Sequence, residues 1–133
     1  MNIVEPIRDL KKIEELKFIL KRHNYRDFLM FLTGLNSGMR ISDIVKLKRS
    51  DVRNDKGEMK EYITVIAKKT KKIKRFPLCN NLLEEMEFYT KNMKENEFLF
   101  PSRKGNGPIS TTQAYRIISN AAKSVNLTNI RYP

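Results

Sequence analysis

An arginine and an aspartate lie three residues apart in the segment Gly38-Met39-Arg40-Ile41-Ser42-Asp43, after a glycine and between two apolar stretches. A guanidinium is a planar fork of N–H donors that grips two phosphate oxygens when it is held in one orientation. Asp43 is near enough in sequence to orient Arg40, which makes the pair a candidate phosphate clamp. On spacing alone the favoured alternative is a salt bridge at a helix start, which contributes about 0–1 kcal/mol when exposed.

A second cluster places six cations within eight residues: Lys68, Lys69, Lys71, Lys72, Lys74 and Arg75. The β-branched and aromatic segments on either side, Tyr62–Ile66 and Ile73–Leu78, predict two strands, so the cations fall at the tip of an antiparallel hairpin. Such a tip suits a nucleic-acid groove or a sugar–phosphate backbone, and one ammonium there can act as a general acid on a leaving oxygen. A solubilising turn is an equally weighted alternative.

A third candidate is the glycine-containing loop with Arg103 and Lys104, which leads to Ser110-Thr111-Thr112 at a predicted helix start. Backbone amides and hydroxyl groups at a helix start can bind a phosphate. The favoured alternative is a surface loop followed by an ordinary helix cap.

Composition narrows the classes of function. Lys and Arg number 27 against 15 Asp and Glu, a net charge of +12, which favours a nucleic-acid partner over a basic surface without one. A single cysteine and a single histidine argue against a disulfide framework and a metal site. No stretch approaches the roughly 20 apolar residues that span a bilayer, and the first nine residues lack a signal-peptide core. We therefore expect a cytoplasmic protein without cofactor, metal or membrane association.

The elements that must position these residues are mostly helical. The 133 residues, 40% of them apolar, predict one domain over 1–133. Apolar periodicity and capping residues predict five helices. They run from near Pro6–Asp9 to Leu20, from Asn24 to Leu35, from Arg40 or Ser42 to Leu47, from Asn80-Asn81 to Met93, and from Ser110 to Val125. With a small antiparallel hairpin or three-stranded sheet between them, the predicted class is α+β and mainly helical.

Taken in this order, the segments from Pro6 to the end of the chain resemble the catalytic domain of tyrosine recombinases, the phage integrase family. The run from Thr33 to Leu47, followed by Asp51-Val52, resembles the family's first conserved box. The resemblance implies that Arg40 is the first catalytic arginine and Asp43 its supporting acid. Lys69, eight residues before Pro77, is the best match to the family's hairpin lysine, with the neighbouring Lys68 as the alternative.

The family's second box does not appear. That box is His-x-x-Arg, followed by a His or Trp and then by the nucleophilic tyrosine, whereas this chain ends in Arg131-Tyr132-Pro133 and has no histidine after His23. Tyr132 lies too early to match the nucleophile, and the other tyrosines fall in segments that the family uses for core or surface. We therefore expect a partial catalytic domain with no nucleophile, whose C-terminal helices are missing.

The resemblance also implies a mechanism in which a tyrosine attacks a DNA phosphodiester without a metal. Arginines stabilise charge on the non-bridging oxygens, and the hairpin lysine protonates the departing 5′-oxygen. We expect a double-stranded DNA partner rather than a small-molecule substrate, contacted by Arg40, Lys68, Lys69, Lys71, Lys72, Arg75 and Lys104. The chain would be a DNA-binding fragment of a phage or mobile-element recombinase, inactive alone. The alternatives are a non-catalytic regulator of an intact recombinase, and a structural remnant that associates with itself or with another protein through exposed core surface.

Overall fold

The computed structural model describes residues 10–105 and 107–125. Their elements are, in chain order, α1 (Leu10–His23), α2 (Tyr25–Ser37), α3 (Ile41–Ile44), α4 (Arg49–Val52), β1 (Tyr62–Ile66), β2 (Ile73–Pro77), α5 (Asn80–Thr90) and α6 (Thr111–Ser124). The predicted class, mainly helical with a small antiparallel sheet, is confirmed. The predicted helix start at Pro6–Asp9 lies outside the described residues. Among the described helices, none has the length and apolar character needed to cross a bilayer.

Helix α2 forms the centre of the fold, as its nearly all-round apolar sequence predicts. Its residues from Phe28 to Gly34 are all buried. Asn24 caps the helix as predicted, because its side-chain oxygen accepts hydrogen bonds from the backbone N–H groups of Arg26 and Asp27. Helices α1, α3, α5 and α6 pack against α2, each through its own apolar face, so the core closes around one helix.

The hairpin pairs β1 with β2 in an antiparallel register that sets Ile63 opposite Phe76 and Ile66 opposite Ile73. One face packs on the core, where Ile63 is fully buried and Phe76 is half-buried. The other face is exposed, as the period of two along a strand requires. Of the two predicted sheet sizes, the described residues form the two-stranded one, preceded by an isolated bridge between Arg53 and Met59.

The third and fourth predicted helices differ from the structure at their boundaries. The third predicted helix stops at Ile44 instead of Leu47, and a separate four-residue helix, α4, follows it. Helix α5 begins at Asn80 with Cys79 as its N-cap residue, and Cys79 makes no side-chain cap bond. Asn80 instead adopts a positive φ of 54°, a conformation that asparagine tolerates better than most residues. The two asparagines therefore turn the chain into α5 without capping it.

Candidate nucleic-acid interface

A tight reversal at the end of α2 places Arg40 on the surface. Gly38 takes the left-handed conformation there, with φ of 76°, and its N–H donates to the Gly34 carbonyl at 2.9 Å. Glycine suits this position because it adopts a positive φ without steric cost. The reversal buries the Met39 side chain completely and leaves Arg40 exposed at the N-cap of α3.

The backbones of Arg40 and Asp43 meet, but their charged groups do not pair. The Arg40 carbonyl accepts hydrogen bonds from the N–H groups of Asp43 and Ile44, both at 3.0 Å. Within the described part of the chain, the Arg40 guanidinium makes no hydrogen bond or ion pair with any side chain, Asp43 included. The helix-start salt bridge, favoured on spacing alone, is therefore wrong for this structure. Among the described residues, the contacts that hold this exposed arginine are those of its backbone.

The basic run forms the tip of the hairpin, as predicted. Ala67 and Lys72 close the tip through a hydrogen bond of 2.9 Å between the Ala67 N–H and the Lys72 carbonyl. The Lys71 N–H reaches back to the Ala67 carbonyl at 2.8 Å, and Lys71 takes a positive φ of 55°. Lys68 and Lys69 both lie in this short turn and are exposed. Both lysines therefore remain candidates for the one hairpin lysine that the family resemblance implies.

Ion pairs distinguish three basic side chains of the described residues from the cations predicted to contact DNA. Three cations on α1 and α2 are held by carboxylates: Lys17 by Glu14, Lys21 by Glu85 and Arg26 by Asp27. By contrast, no side-chain partner within the described residues is found for the predicted interface cations, all of them exposed: Arg40, Lys68, Lys69, Lys71, Lys72, Arg75 and Lys104. The predicted DNA contacts thus belong to the exposed cations of the described residues for which no ion pair is found, a set that also includes Lys11, Lys56, Lys91 and Lys94.

The loop before α6 has the ordinary structure that the sequence favoured. Ser110 caps α6, since its hydroxyl oxygen accepts a hydrogen bond from the Gln113 N–H at 3.0 Å. The loop closes through the Ser102 N–H and the Gly107 carbonyl at 2.9 Å. Lys104 stands exposed in it. The hydroxyl of Ser110 is therefore occupied by the cap, and Lys104 remains the loop's candidate contact.

The exposed face of α6 is a polar surface that the sequence reasoning missed. A shallow groove there is lined by hydroxyl, amide and basic side chains: Thr111, Thr112, Tyr115, Arg116, Ser119, Asn120 and Lys123. These positions repeat every four residues in two adjacent rows, which is the spacing of one helix face. Helix α6 also packs against α3, the helix that Arg40 opens. This spacing is visible in the sequence, where it lies opposite the apolar stripe of α6 from which the helix is predicted.

Comparisons with known proteins agree on one family. The phage integrase family matches residues 9–132. The chain is 45% identical over 130 residues to the probable integrase/recombinase YoeC of Bacillus subtilis, a match covering 98% of this chain and 69% of that protein. It is 28% identical over 123 residues to the tyrosine recombinase XerA of Pyrococcus horikoshii, covering 90% of this chain and 42% of that protein.

A crystal structure of XerA recombinase shares the fold, with a TM-score of 0.73 at 17% identity. That match covers 97% of this chain and 46% of the other. The chain therefore spans less than half of the XerA proteins that it matches and about two thirds of YoeC. Since the family match extends over nearly the whole sequence, this chain belongs to the phage integrase family.

Proposed function

We propose that this chain is the part of a tyrosine recombinase that binds double-stranded DNA and supplies the first arginine and the hairpin lysine of strand cleavage and rejoining. Family membership implies DNA binding. The observation that carries the proposal is that Arg40 and the four lysines of the hairpin tip are exposed and have no side-chain partner within the described residues.

Arg40 is assigned to the non-bridging oxygens of the phosphate. A guanidinium keeps its charge at every physiological pH and donates two parallel hydrogen bonds, which suits it to stabilise the extra negative charge of a phosphoryl transition state. Its exposure at the N-cap of α3 supports this role. Asp43 is assigned to support Arg40, which requires its carboxylate to engage the guanidinium once DNA is bound.

Lys69 is assigned to protonate the departing 5′-oxygen, with Lys68 as the alternative. An ammonium is a compact donor that gives up a proton far more readily than a guanidinium, so the two cations suit different steps. Lys71, Lys72, Arg75 and Lys104 are assigned to the DNA backbone, where contacts position the protein without reading sequence.

No residue of this chain is assigned as the nucleophile. Tyr25 and Tyr89 both use their hydroxyl groups inside the protein, donating to the Glu85 carboxylate and the Leu99 carbonyl respectively. We therefore expect the chain alone to bind DNA without cleaving it. A covalent protein–DNA adduct formed on a nicked duplex by the isolated chain, detected on a denaturing gel, would contradict this expectation.

The hairpin tip is tested by measuring DNA affinity across a salt series. A variant with Lys68, Lys69, Lys71 and Lys72 all changed to Gln should bind a fluorescent duplex more weakly. The slope of log K against log salt should fall in magnitude by about 3 to 4, because each phosphate contact releases about 0.9 of a counterion. Fluorescence anisotropy between low and moderate NaCl measures both quantities.

A matched control removes the same charge elsewhere, at the exposed lysines Lys11, Lys56, Lys91 and Lys94. That control should keep most of the wild-type slope. Equal losses in both variants would mean that DNA binds the net charge of +12 rather than the hairpin. An unmodified chain that fails to bind the duplex at low salt would refute the proposal as a whole.

A further inference from the structure

We propose that Ser37 is a positioning residue for Arg40, acting through a hydrogen-bonded turn that aims the guanidinium. The inference rests on the proposed function in so far as Arg40 contacts a phosphate. Ser37 is the last residue of α2 and lies three positions before Arg40. Its role follows from the two hydrogen bonds that its hydroxyl group makes and from what those bonds hold.

The Ser37 hydroxyl ties the turn to the buried end of α2. It donates to the Thr33 carbonyl at 2.5 Å and accepts from the Met39 N–H at 3.1 Å. Thr33 is fully buried, and its own hydroxyl donates to the Leu29 carbonyl at 2.7 Å. A chain of hydrogen bonds thus runs from the core helix, through one serine side chain, to the backbone immediately before Arg40.

Ser37 can influence the direction of the Arg40 side chain because, within the described residues, no side-chain contact holds the guanidinium. Within the described residues Arg40 has no partner for its side chain, so the direction of that side chain depends on the backbone beneath it. Two residues separate Ser37 from Arg40, and both backbone N–H groups are bonded: Gly38 to the Gly34 carbonyl and Met39 to Ser37. Only the second of these bonds depends on a side chain.

Removing the hydroxyl would leave the Met39 N–H without its acceptor. The adjoining Gly38 does not restrict its own backbone angles sterically, since a glycine accepts φ values on both sides of 0°. The Met39 side chain stays anchored in the core, but the peptide that leads to Arg40 loses its restraint. Threonine at position 37 keeps a hydroxyl group at the same place, so Ser37→Thr is the conservative variant, while Ser37→Ala removes the contact.

The test is a double-mutant cycle on DNA affinity that compares wild type, Ser37→Ala, Arg40→Ala and the double variant. Anisotropy with a fluorescent duplex at low salt gives each dissociation constant. Ser37→Ala should weaken binding about 3- to 10-fold when Arg40 is present and have no further effect in the Arg40→Ala background. Ser37→Thr should bind like wild type. A merely structural serine would weaken both backgrounds equally, and that result would overturn the inference.

A second measurement does not depend on DNA. Backbone ¹⁵N order parameters of Met39 and Arg40 should fall in Ser37→Ala and recover in Ser37→Thr, while those of α6 stay unchanged. Unchanged order parameters at both residues would also overturn the inference. If they fall but Arg40→Ala leaves DNA affinity intact, Ser37 still positions Arg40 and the phosphate role of Arg40 is what fails. Should Ser37→Ala not fold, Ser37→Cys, with a poorer acceptor of similar size, takes its place.

Discussion

At the scale of single residues, Arg40 shows that spacing in the sequence does not decide whether two opposite charges form a salt bridge. Three residues between Arg40 and Asp43 permit a salt bridge, and the sequence favours one. The structure contains none between these two side chains. Exposure and the absence of a side-chain partner within the described residues support the proposed phosphate contact of Arg40, because a guanidinium already engaged by a carboxylate is less available to an anion.

The fold raises the pKa of two tyrosines, Tyr25 and Tyr89. Burial, against the opposing effect of Arg26 and with the added effect of the negative charges of Asp27 and Glu97, raises the pKa of Tyr89 to about 12. Burial and the hydrogen bond to Glu85 also raise the pKa of Tyr25. The rings stack at a centroid distance of 5.8 Å, so both hydroxyl groups belong to one packed aromatic cluster.

The raised pKa of Tyr89 predicts a loss of stability in alkali. An unfolded tyrosine loses its proton near pH 10, whereas folded Tyr89 keeps its proton until about pH 12. The unfolded state therefore binds fewer protons between these values, and the free energy of unfolding falls as the pH rises through them. Tyr89→Phe should be less stable than wild type at pH 9, because it lacks the bond to Leu99, and this difference should narrow towards pH 11.5. Urea unfolding at each pH measures it.

The control is Tyr62→Phe, since Tyr62 is exposed on the outer face of the hairpin. Its unfolding free energy should follow that of wild type at every pH. If Tyr62→Phe and Tyr89→Phe change the pH dependence equally, burial of Tyr89 is not the cause.

At the scale of elements, Arg53 joins the segment before the hairpin to α5. Its guanidinium donates to the Thr90 hydroxyl at 2.8 Å, to the Gly57 carbonyl at 2.5 Å and to the Glu87 carbonyl at 2.8 Å. These three bonds connect the end of α4, the turn that precedes β1, and the last part of α5. The hairpin follows that turn in the chain. Arg53 therefore helps to hold the end of the hairpin that lies opposite its basic tip.

We predict that Arg53→Ala lowers the free energy of unfolding by about 2–4 kcal/mol, because three charge-assisted bonds are lost and buried Thr90 loses a partner. Urea denaturation measures the loss. Lys56→Ala, an exposed change in the same turn, should stay within about 0.5 kcal/mol of wild type. An Arg53→Ala protein as stable as the Lys56→Ala control would show that these bonds do not hold the base of the hairpin.

At the scale of the whole molecule, exposed apolar side chains mark a surface distinct from the basic one. Leu10, Phe18 and Phe88 are 76%, 61% and 69% exposed. Phe18 also lines a groove with residues of α5, among them Glu84 and Glu85. Large exposed apolar groups favour association, so the expectation that the chain associates with itself predicts contact through this α1–α5 surface at high concentration.

Sedimentation velocity tests that association. Wild type should show a dimer at about 100 µM, and Phe18→Ser should shift the population to monomer. Ile66→Ser is the matched control, because Ile66 is similarly exposed, at 60%, but lies on the hairpin. A wild-type chain that stays monomeric at this concentration would rule out the α1–α5 surface as the dimer contact. An Ile66→Ser dimer that dissociates as completely as the Phe18→Ser dimer would do the same.

Long apolar patterns were the most predictable features of the fold. The all-round apolar run of α2, the β-branched and aromatic run of β1 and the caps at Asn24 and Ser110 are local features, and the structure confirms each of them. Short elements were not predictable in the same way. Helix α4 has four residues, and it contacts β1, so tertiary packing rather than local preference decides it.

The family, the mainly helical class and the clustering of cations at the hairpin tip can be read from the amino-acid sequence, because motif spacing, apolar periodicity and charge are properties of the chain. Which cations are engaged depends on the folded structure. Whether an arginine meets a carboxylate depends on how helices pack and turns close, and these bring together residues as distant as Lys21 and Glu85. The folded structure also bonds the Ser37 hydroxyl to the Met39 N–H, next to Arg40, and leaves the Arg40 guanidinium exposed.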